Sequence, residues 1–462
     1  MKKTIKLAVV AALALGATSA FATNGDTLIG LGAKSRGMAG TSIGMSHGAE
    51  SALSNPAFIN ESEVSFGGSV FMPNVKMKNE ATTPGGTSGT EFANSAADLS
   101  VIPEVAIAIK VNDNFSWGVG MYGVAGMGVD YRDDTALFST GNTTPPSPTG
   151  DQTKYVGTKS GTNQMLTNLQ LMRFALPLAY HVNNFSFAVS PILQYGSLDI
   201  AYNAGQSYQD AQGTSHNTMT GRGVSQDLGF GYNIGLSYEI AGLTLGAVYT
   251  SSIDMTYDHQ ISEATKQFGL NQGKGLSDHL EQPAEIGVGA SYKIGASTIA
   301  LDYKQIKWGS AKGYKDFKWD DQNVLAVGYE YAGKGWALRA GYNYASNPIQ
   351  EQKAASMATD YDGAVINYFN AAGFPATTQS HIALGGSYQV SKMIGVDLAY
   401  TYAPEVTESY DTSALTQAQV YGGALAGGAT QAQAGAAAAA SSSTATVKHS
   451  QQVVTIAMTM KF

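Results

Sequence analysis

The chain has 462 residues, a formal net charge of −8 and 13% charged residues, and it contains 54 glycines, 25 tyrosines and no cysteine. The acidic balance argues against nucleic acid as a partner, and the lack of cysteine excludes disulfides and thiolate metal ligands. The mean hydropathy of −0.09 resembles that of a soluble protein, but such an average hides any regular alternation of apolar and polar residues.

The first 22 residues have the organisation of a secretory signal peptide. Lys2, Lys3 and Lys6 precede an apolar run over residues 7–17, and Ala20-Phe21-Ala22 provides the small-x-small pattern of a cleavage site. We therefore predict cleavage after residue 22 and export of the remaining chain. No later run of about 18 apolar residues occurs, so no membrane-spanning helix is predicted.

Residues 23–60 precede the first predicted strand and are rich in glycine and other small residues. Short helical turns are predicted near 34–39 and 47–54, and Asn55-Pro56 ends the second because proline disfavours helix at the residue before it. A nucleotide-binding loop at Gly30-x-Gly32 is disfavoured, since no strand precedes it and no Lys-Ser or Lys-Thr follows the last glycine. A compact segment of this size could fold back into a barrel as a plug.

Apolar and polar residues alternate in many segments after residue 60, most clearly at the C-terminus. Val454, Ile456, Met458, Met460 and Phe462 share one face, and small or polar residues occupy the other. A strand of about 9–11 residues between lipid and a lumen needs this pattern, whereas an edge strand of a soluble sandwich is the alternative. Charges opposite the aliphatic face and tyrosines near strand ends favour the membrane barrel. The same alternation recurs at 105–111, 286–294, 338–344 and 394–402.

Short and long connections alternate along the chain. Turn-forming residues mark six short connections, at 112–114, 183–184, 241–242, 295–296, 333–335 and 391–392. Seven long ones fall near 78–97, 132–163, 205–222, 261–281, 309–321, 347–378 and 404–448. We therefore predict an all-β protein: a 14-stranded antiparallel transmembrane β-barrel over residues 61–462, with a hatch of short helical turns, residues 23–60, in its lumen. An even strand count puts both ends on the periplasmic side.

Residues 30–40, GLGAKSRGMAG, followed by Asn55, Pro56 and Ala57, resemble the N-terminal hatch of the FadL family of outer-membrane transporters for long-chain fatty acids and other hydrophobic compounds. The Asn-Pro-Ala turn is the hatch signature of that family. The signal, the strand count and the terminal Phe462 extend the resemblance over the whole chain. The resemblance implies a monomer in the Gram-negative outer membrane that takes up hydrophobic molecules by diffusion. The terminal aromatic Phe462 also resembles the signal by which the barrel-assembly machinery recognises its clients.

The resemblance also implies a transporter rather than an enzyme, and no cofactor is expected. The seven histidines form no His-x-x-x-His or His-Glu pair, so no metal site is predicted. A passive porin for polar solutes is the alternative function. The plug-like segment 23–60 argues against that alternative, because a plug would block an aqueous pore.

The resemblance implies that cargo leaves sideways into the outer-membrane lipid, through a gap made by an inward kink in the third strand. The third predicted strand begins at residue 115 and contains five glycines in eleven residues, including Gly118, Gly120, Gly123 and Gly126. Glycines weaken a strand and permit a bulge. We predict a kink near 123–126; the alternative is that these glycines only make room for the hatch.

Three basic residues are candidates to meet a cargo carboxylate inside the barrel: Arg173, Lys304 and Arg339. The alternative is that they pair with acidic residues of the lumen. The acidic residues considered are Asp302, Glu330 and Asp397. An uncharged hydrocarbon cargo would need no basic contact.

Two of the predicted external loops have unusual compositions. Residues 351–374 are apolar for such a loop and predict a binding surface where cargo enters, with packing against neighbouring loops as the alternative. The residues of this prediction are Met357, Ile366, Phe369 and Phe374. Residues 422–444 are rich in Gly, Ala, Gln and Ser and are predicted to be a mobile low-complexity loop.

Overall fold

The computed structural model describes residues 24–52, 54–132, 165–202, 207–209, 215–217 and 220–462. Fourteen long strands within these ranges form one antiparallel sheet, in which the first strand pairs with the last and closes a barrel. The predicted fold class and strand count are therefore confirmed. The predicted signal peptide lies outside the described residues.

The strands of the barrel are numbered in chain order, and each short turn predicted from the sequence joins two of them. The bounds are β1 Glu63–Thr83, β2 Ser100–Lys110, β3 Phe115–Asp130, β4 Met165–Ala175 with Leu178–Val182, β5 Phe185–Tyr202, β6 Ser225–Ile240, β7 Leu243–Thr250, β8 Glu285–Ile294, β9 Ser297–Ile306, β10 Gln322–Gly333, β11 Trp336–Ala345, β12 Ser380–Gln389, β13 Ile394–Asp411 and β14 Ser442–Lys461. Neighbouring strands pair in this order around the barrel.

The remaining elements lie before β1 or in the long loops. The helices are α1 Ala33–Gly37, α2 Ile261–Gln267, α3 Leu270–Gly273, α4 Tyr361–Ala372, α5 Ser413–Ala426 and α6 Gln431–Ala439, with 3-10 turns at Gly48–Ala52, Pro56–Phe58 and Trp308–Ser310. Short strands lie at Gly86–Ser88, Ala93–Asn94, Ser207–Gln209, Ser215–Asn217 and Thr220–Gly221. Among the described residues, no helix combines the length and the apolarity needed to cross a bilayer.

The outer face of the barrel is apolar, and the inner face is not. Ile456 on β14 is 56% exposed and Leu338 on β11 is 59% exposed, whereas the alternate residues Thr455 and Arg339 are buried in the lumen. Two rings of exposed aromatic residues bound this apolar belt, as in proteins whose strands cross a membrane. The ring near the short turns contains Tyr180, Tyr238, Tyr292, Tyr331, Trp336 and Tyr388, and the ring near the long loops contains Tyr232, Tyr249, Tyr303, Tyr344 and Tyr402.

Helices occupy much of the low-complexity stretch 422–444, for which a mobile loop was predicted. Residues 413–426 and 431–439 form α5 and α6. Alanine has the highest helix propensity, and Thr430 caps α6 in a capping box with Gln433. The alanines of this stretch therefore favour helix within the loop.

The long loops fold inward over the mouth of the barrel and extend its core. The rings of Trp308, Tyr314 and Trp319 lie with centroids 4.5–5.3 Å apart. Phe317 and Phe374 join the same buried cluster. The barrel is therefore filled from the loop end by aromatic residues, and from the other end by the segment that precedes β1.

Candidate functional site

The hatch segment, defined as residues 24–52 and 54–60, contacts the lumen face of the barrel wall. Its central anchor is Asp302 on β9, whose carboxylate accepts the backbone N–H groups of Ser42 at 2.6 Å, Ile43 at 2.7 Å and Gly44 at 3.1 Å. Three converging donors on one carboxylate fix the loop after α1 against the wall. Sequence reasoning had placed Asp302 in the lumen as a partner for basic side chains, and missed this role.

The Asn-Pro-Ala motif joins two parts of the hatch segment to β6. The Asn55 side-chain oxygen accepts the N–H of Ala57 at 3.1 Å and so caps the 3-10 turn that Pro56 begins. Its amide nitrogen donates to the carbonyl of Ile43 at 2.9 Å and to that of Leu236 at 3.0 Å. Asn55 therefore uses its donors and acceptor together, which explains why an amide suits this position.

Glycines on the lumen face of the wall let the hatch segment approach closely. A Cβ atom on Gly246 would lie 1.7 Å from the carbonyl oxygen of Ile43, and one on Gly235 would lie 2.3 Å from the side-chain oxygen of Asn55. On β11, a Cβ on Gly341 would lie 2.5 Å from the backbone of Met38. Larger residues at these positions would push the hatch segment off the wall.

Buried ion pairs hold the body of the hatch segment near β1, β2 and β14. Arg36 contacts Glu104 of β2 at 2.5 Å, and Lys34 contacts Glu63 of β1 at 3.2 Å. Arg36 also donates to Ser69 and to Thr455, the latter at 3.2 Å. Removing one member of a buried pair leaves the other charge uncompensated, so these contacts hold the segment firmly.

The start of the hatch segment is held differently, by backbone pairing with β3. The N–H of Leu28 donates to the carbonyl of Val124 at 3.1 Å, and the N–H of Gly126 donates to that of Asp26 at 3.0 Å. Thr27 lies opposite Ala125 between these two bonds. Residues 26–28 thus add a short antiparallel strand to the inner edge of β3.

The Asp26 side chain connects this leading segment to the loops at the mouth. Its carboxylate accepts a hydrogen bond from Gln282 at 2.7 Å, another from the Tyr314 hydroxyl and a third from the hydroxyl of the adjacent Thr27 at 3.3 Å. Burial raises the pKa of Asp26 to about 6, although these hydrogen bonds act in the opposite direction. The carboxylate is therefore a costly anion that depends on its donors.

β3 stops pairing with β2 close to the position where residues 26–28 of the hatch segment pair with β3. β3 pairs with β2 only as far as Tyr122 opposite Glu104, and its register with β4 shifts between Gly123 and Ala125. Alternation of buried and less buried residues also ends there, since residues 124–129 are all buried. Gly118 and Gly120 lie before this bulge, in the regular pairing with β2, and Gly126 lies after it.

A cavity lies between the hatch segment and the wall beside this bulge. Most of its lining is apolar, with a few polar groups of β4, β8 and β9. Its lining includes Leu28, Ile29, Leu31, Ile43, Val124, Val248 and Val324, together with Arg173, Glu285, Asp302 and Lys304. The structure therefore brings two of the three predicted cargo-binding cations, Arg173 and Lys304, to one cavity.

The three predicted cations have different partners. Arg339 contacts Glu330 at 2.7 Å, as the alternative interpretation predicts, and it does not line the cavity. Lys304 contacts Glu285 at 2.8 Å, an acidic residue that the sequence analysis did not consider as its partner. Arg173 donates to Gln194 at 2.8 Å and forms no ion pair within 4 Å with any residue that the structure describes.

The apolar residues predicted to receive cargo at the mouth are mostly buried. Ile366 and Phe369 on α4 and the following Phe374 are at most 5% exposed, and Met357 is partly buried against the same cluster. Phe369 packs against Phe268 with ring centroids 5.1 Å apart. α4 therefore packs on its neighbours, and a role in receiving cargo stays a prediction.

The model of one protein family matches nearly the whole chain. That family is described as outer membrane protein transport protein (OMPP1/FadL/TodX), and the match covers residues 7–146 and 146–449. The chain belongs to this family. With the closed barrel of fourteen strands, membership places the protein in the outer membrane of Gram-negative bacteria and among transport proteins.

Individual members of the family are distant in sequence. The chain is 22% identical to outer membrane protein P1 of Haemophilus influenzae over 326 residues, which cover 68% of each chain. It is 22% identical to the long-chain fatty acid transport protein of Escherichia coli over 401 residues, which cover 75% of this chain and 80% of the relative.

Solved structures of this family share the fold. A FadL homologue from Pseudomonas aeruginosa superimposes with a TM-score of 0.63 at 16% identity, over 95% of this chain and all of that one. The toluene transporter TodX from P. putida gives a TM-score of 0.56 at 16% identity, over 94% of this chain and 99% of that one. These likenesses concern the fold of the barrel alone.

Proposed function

We propose that this member of the FadL family takes up long-chain fatty acids or other hydrophobic compounds across the outer membrane by diffusion. The observation that carries the proposal is the apolar cavity between the hatch segment and the wall, which contains Arg173 and adjoins the bulge of β3. The names of two relatives, a long-chain fatty acid transport protein and a toluene transporter, support a hydrophobic cargo.

The driving force for cargo capture is the burial of apolar surface. Each square ångström of cargo removed from water contributes about 25 cal/mol, so a cavity lined by Leu28, Ile29 and Val124 favours hydrocarbon over water. An aqueous pore offers no such gain. The apolar lining thus supports a carrier of hydrophobic molecules rather than a channel for polar ones.

Arg173 is the group best suited to a cargo carboxylate. Glu285 and Asp26 interact with the buried Arg173 only at longer range than an ion-pair contact, and its one hydrogen bond goes to the neutral Gln194. A cargo carboxylate can accept two parallel hydrogen bonds from the guanidinium. Lys304 and Arg339 already have carboxylate partners at 2.8 Å and 2.7 Å, so they are less available. We therefore assign the carboxylate contact to Arg173 in the proposed pathway, with fatty acids as the preferred cargo class.

The proposed exit is lateral, between β2 and β3 on the loop side of Tyr122. The two strands cease to pair there, and residues 26–28 of the hatch segment occupy the inner edge of β3. Cargo leaving the cavity by this route would enter the outer-membrane lipid without crossing the hatch segment. The leading residues 26–28 would have to move aside, whereas the body of the hatch segment would stay in place.

The experiment is to block this route at Gly123 and measure uptake of radiolabelled oleate in cells. A Cβ on Gly123 would lie 2.5 Å from the Ile102 side chain of β2, so Gly123→Trp would fill the space between the two strands. Gly386→Trp is the matched control, because this β12 glycine has only ordinary contacts at 3.4 Å or more.

Oleate uptake is expected to fall to the level of cells lacking the protein for Gly123→Trp, and to stay at the wild-type level for Gly386→Trp. Heat-modifiable migration in gels checks that both barrels fold. Normal uptake by a folded Gly123→Trp barrel would remove the lateral route. The alternative function, a passive porin for polar solutes, predicts instead a large steady conductance of the purified protein in planar bilayers, and such a conductance would overturn the proposal.

A further inference from the structure

β1 and β14 extend past the apolar belt on the side of the long loops. Their pairing runs from Glu63 opposite Lys461 to Thr82 opposite Ser442. Outward apolar positions on β14 end at Val454, and the Tyr400 hydroxyl donates to Gln452 at 3.0 Å, which marks the edge of the belt. Beyond this level, both strands continue for roughly 10 residues at about 3.4 Å each, into the layer of lipid head groups and above it.

Three lysines converge on the outward face of these extensions. Lys76 of β1 lies directly opposite Lys448 of β14, and Lys78 follows two residues later on the same face. Their neighbours Val75, Met77 and Val447 are buried toward the lumen, so the lysines face outward. Lys448 lies four residues beyond Gln452, which corresponds to roughly 10 Å above the belt at a strand tilt of about 40°.

Lysines in this arrangement repel one another, and nearby carboxylates compensate them only in part. Like charges directly across a strand pair are destabilising. Lys78 contacts Glu80 at 2.6 Å, but the nearest carboxylate to Lys448 is Glu405 at 3.9 Å. Lys76 has no ion pair within 4 Å in the part of the chain that the structure describes. The net charge of this group of side chains is positive.

The aromatic ring of Phe92 lies close to two of the three ammonium groups. The ring centroid of Phe92 lies 5.6 Å from the Lys78 ammonium and 5.0 Å from that of Lys448. Cation–π contacts of this kind keep the two charges together rather than letting them separate into solvent. The basic patch is defined as Lys76, Lys78 and Lys448 together with Phe92, whose ring lies near two of the three ammonium groups.

We infer that the basic patch binds the phosphate of a phosphorylated glycolipid in the outer leaflet of the outer membrane. Lipid phosphates lie in the head-group layer just above an apolar belt, at the level of these lysines, and clustered lysines recognise lipid phosphates. Acyl chains of the same lipid would lie along the outward apolar residues below, Val70 and Met72 of β1 and Val454 of β14. Lys76 would make the principal contact, since it has no competing carboxylate.

The experiment measures lipid binding to the purified full-length barrel by native mass spectrometry. The probes are bisphosphorylated lipid A, the same lipid without its phosphates, and inorganic phosphate as a competitor. The test variant is Lys76→Gln/Lys448→Gln, and the matched control is Lys334→Gln/Lys392→Gln, which removes two lysines from short turns at the opposite end of the barrel. The test variant is expected to fold, because it removes the repulsion between two lysines that lie opposite each other.

Wild type and control are expected to bind bisphosphorylated lipid A at least about tenfold more tightly than the dephosphorylated lipid, a difference of about 1.4 kcal/mol. The test variant is expected to lose that preference. Equal binding of both lipids by wild type, or an unchanged preference in the test variant, would overturn the inference. Displacement of the lipid by equimolar inorganic phosphate would show a site for free anions instead. Oleate uptake is not involved, so the outcome is independent of the proposed cargo.

Discussion

The body and the start of the hatch segment are attached to the barrel by interactions of very different strength. The body, from residue 33 onward, is held by buried ion pairs, by the three N–H groups on Asp302 and by close contact with wall glycines. Residues 26–28 are held by two backbone hydrogen bonds to β3 and by the Asp26 side chain. Breaking a buried ion pair costs about 3–5 kcal/mol, whereas a backbone hydrogen bond contributes about 0.5–1.5 kcal/mol.

Because the two parts are held so differently, the hatch segment need not leave the lumen for a path to open. A local displacement of the weakly held start would uncover the edge of β3 next to the cavity, while the strongly held body continues to fill the barrel. Three sets of substitutions test this difference: one links the start of the hatch segment to β3, one weakens the attachment of its body, and one changes the cavity between them.

The largest effect is expected from a disulfide that locks the start of the hatch segment to β3. Thr27 and Ala125 form a non-hydrogen-bonded antiparallel pair, whose Cα atoms lie about 4.5 Å apart and so suit a disulfide. In oxidised Thr27→Cys/Ala125→Cys, oleate uptake is expected to fall to background. The chain has no other cysteine, so the bond forms without competing thiols.

Reducing agent is expected to restore uptake in the double variant, and each single cysteine variant should transport oleate normally in both conditions. Uptake that is the same before and after reduction would mean that residues 26–28 do not move during transport. In that case the lateral route would need another explanation.

A smaller but still large effect is expected from breaking the ion pair in the body. Arg36→Met leaves Glu104 buried without its cation, so the free energy of unfolding should fall by about 3–5 kcal/mol. Its consequence is a lower thermal midpoint and a raised ion conductance in planar bilayers. Arg36→Met/Glu104→Gln removes both charges and is expected to recover most of the loss; a double variant as unstable as the single one would show that the pair is not the anchor.

The smallest of the three effects concerns Arg173. A hydrogen-bonded contact with a charged group contributes about 1.5–3 kcal/mol, so Arg173→Met should weaken binding of oleate to the purified barrel by roughly tenfold to a hundredfold. Binding of toluene, which carries no charge, should change little, and Arg173→Lys should show an intermediate loss. Equal losses for oleate and toluene would indicate a change in the shape of the cavity instead.

The sequence was sufficient to predict the barrel because its signal is local and repeats. Alternation along each strand places lipid and lumen faces without any knowledge of neighbouring strands, and turn residues such as Asn183 and Gly295 mark strand ends. The hatch motif was equally visible, since Asn55-Pro56-Ala57 is a contiguous group. The glycines of β3 led to the prediction of a kink near 123–126, and the shift of register between β3 and β4, at Gly123 to Ala125, lies within that range.

The site itself depends on contacts between residues distant in the chain, which a single sequence does not contain. Glu285 as the partner of Lys304, and Asp302 as the acceptor for the hatch segment, follow only once β8 and β9 are placed around that segment. The sequence does not distinguish Gly246 and Gly341 from other strand glycines, because their close contacts with the hatch segment are visible only in the structure. Burial of Phe369 and Phe374 likewise depends on how three loops meet at the mouth.

The pairing of β1 with β14 has a consequence for biogenesis. These strands share twenty residue pairs, from Glu63 with Lys461 to Thr82 with Ser442, so the contact with the greatest sequence separation is also among the most extensive. Until the last strand arrives, the first presents a long row of unsatisfied backbone groups, which is a hazard for aggregation. The nascent polypeptide therefore has to be shielded until its final residues are delivered, and truncation at the C-terminus should trap it in an open, degradable form.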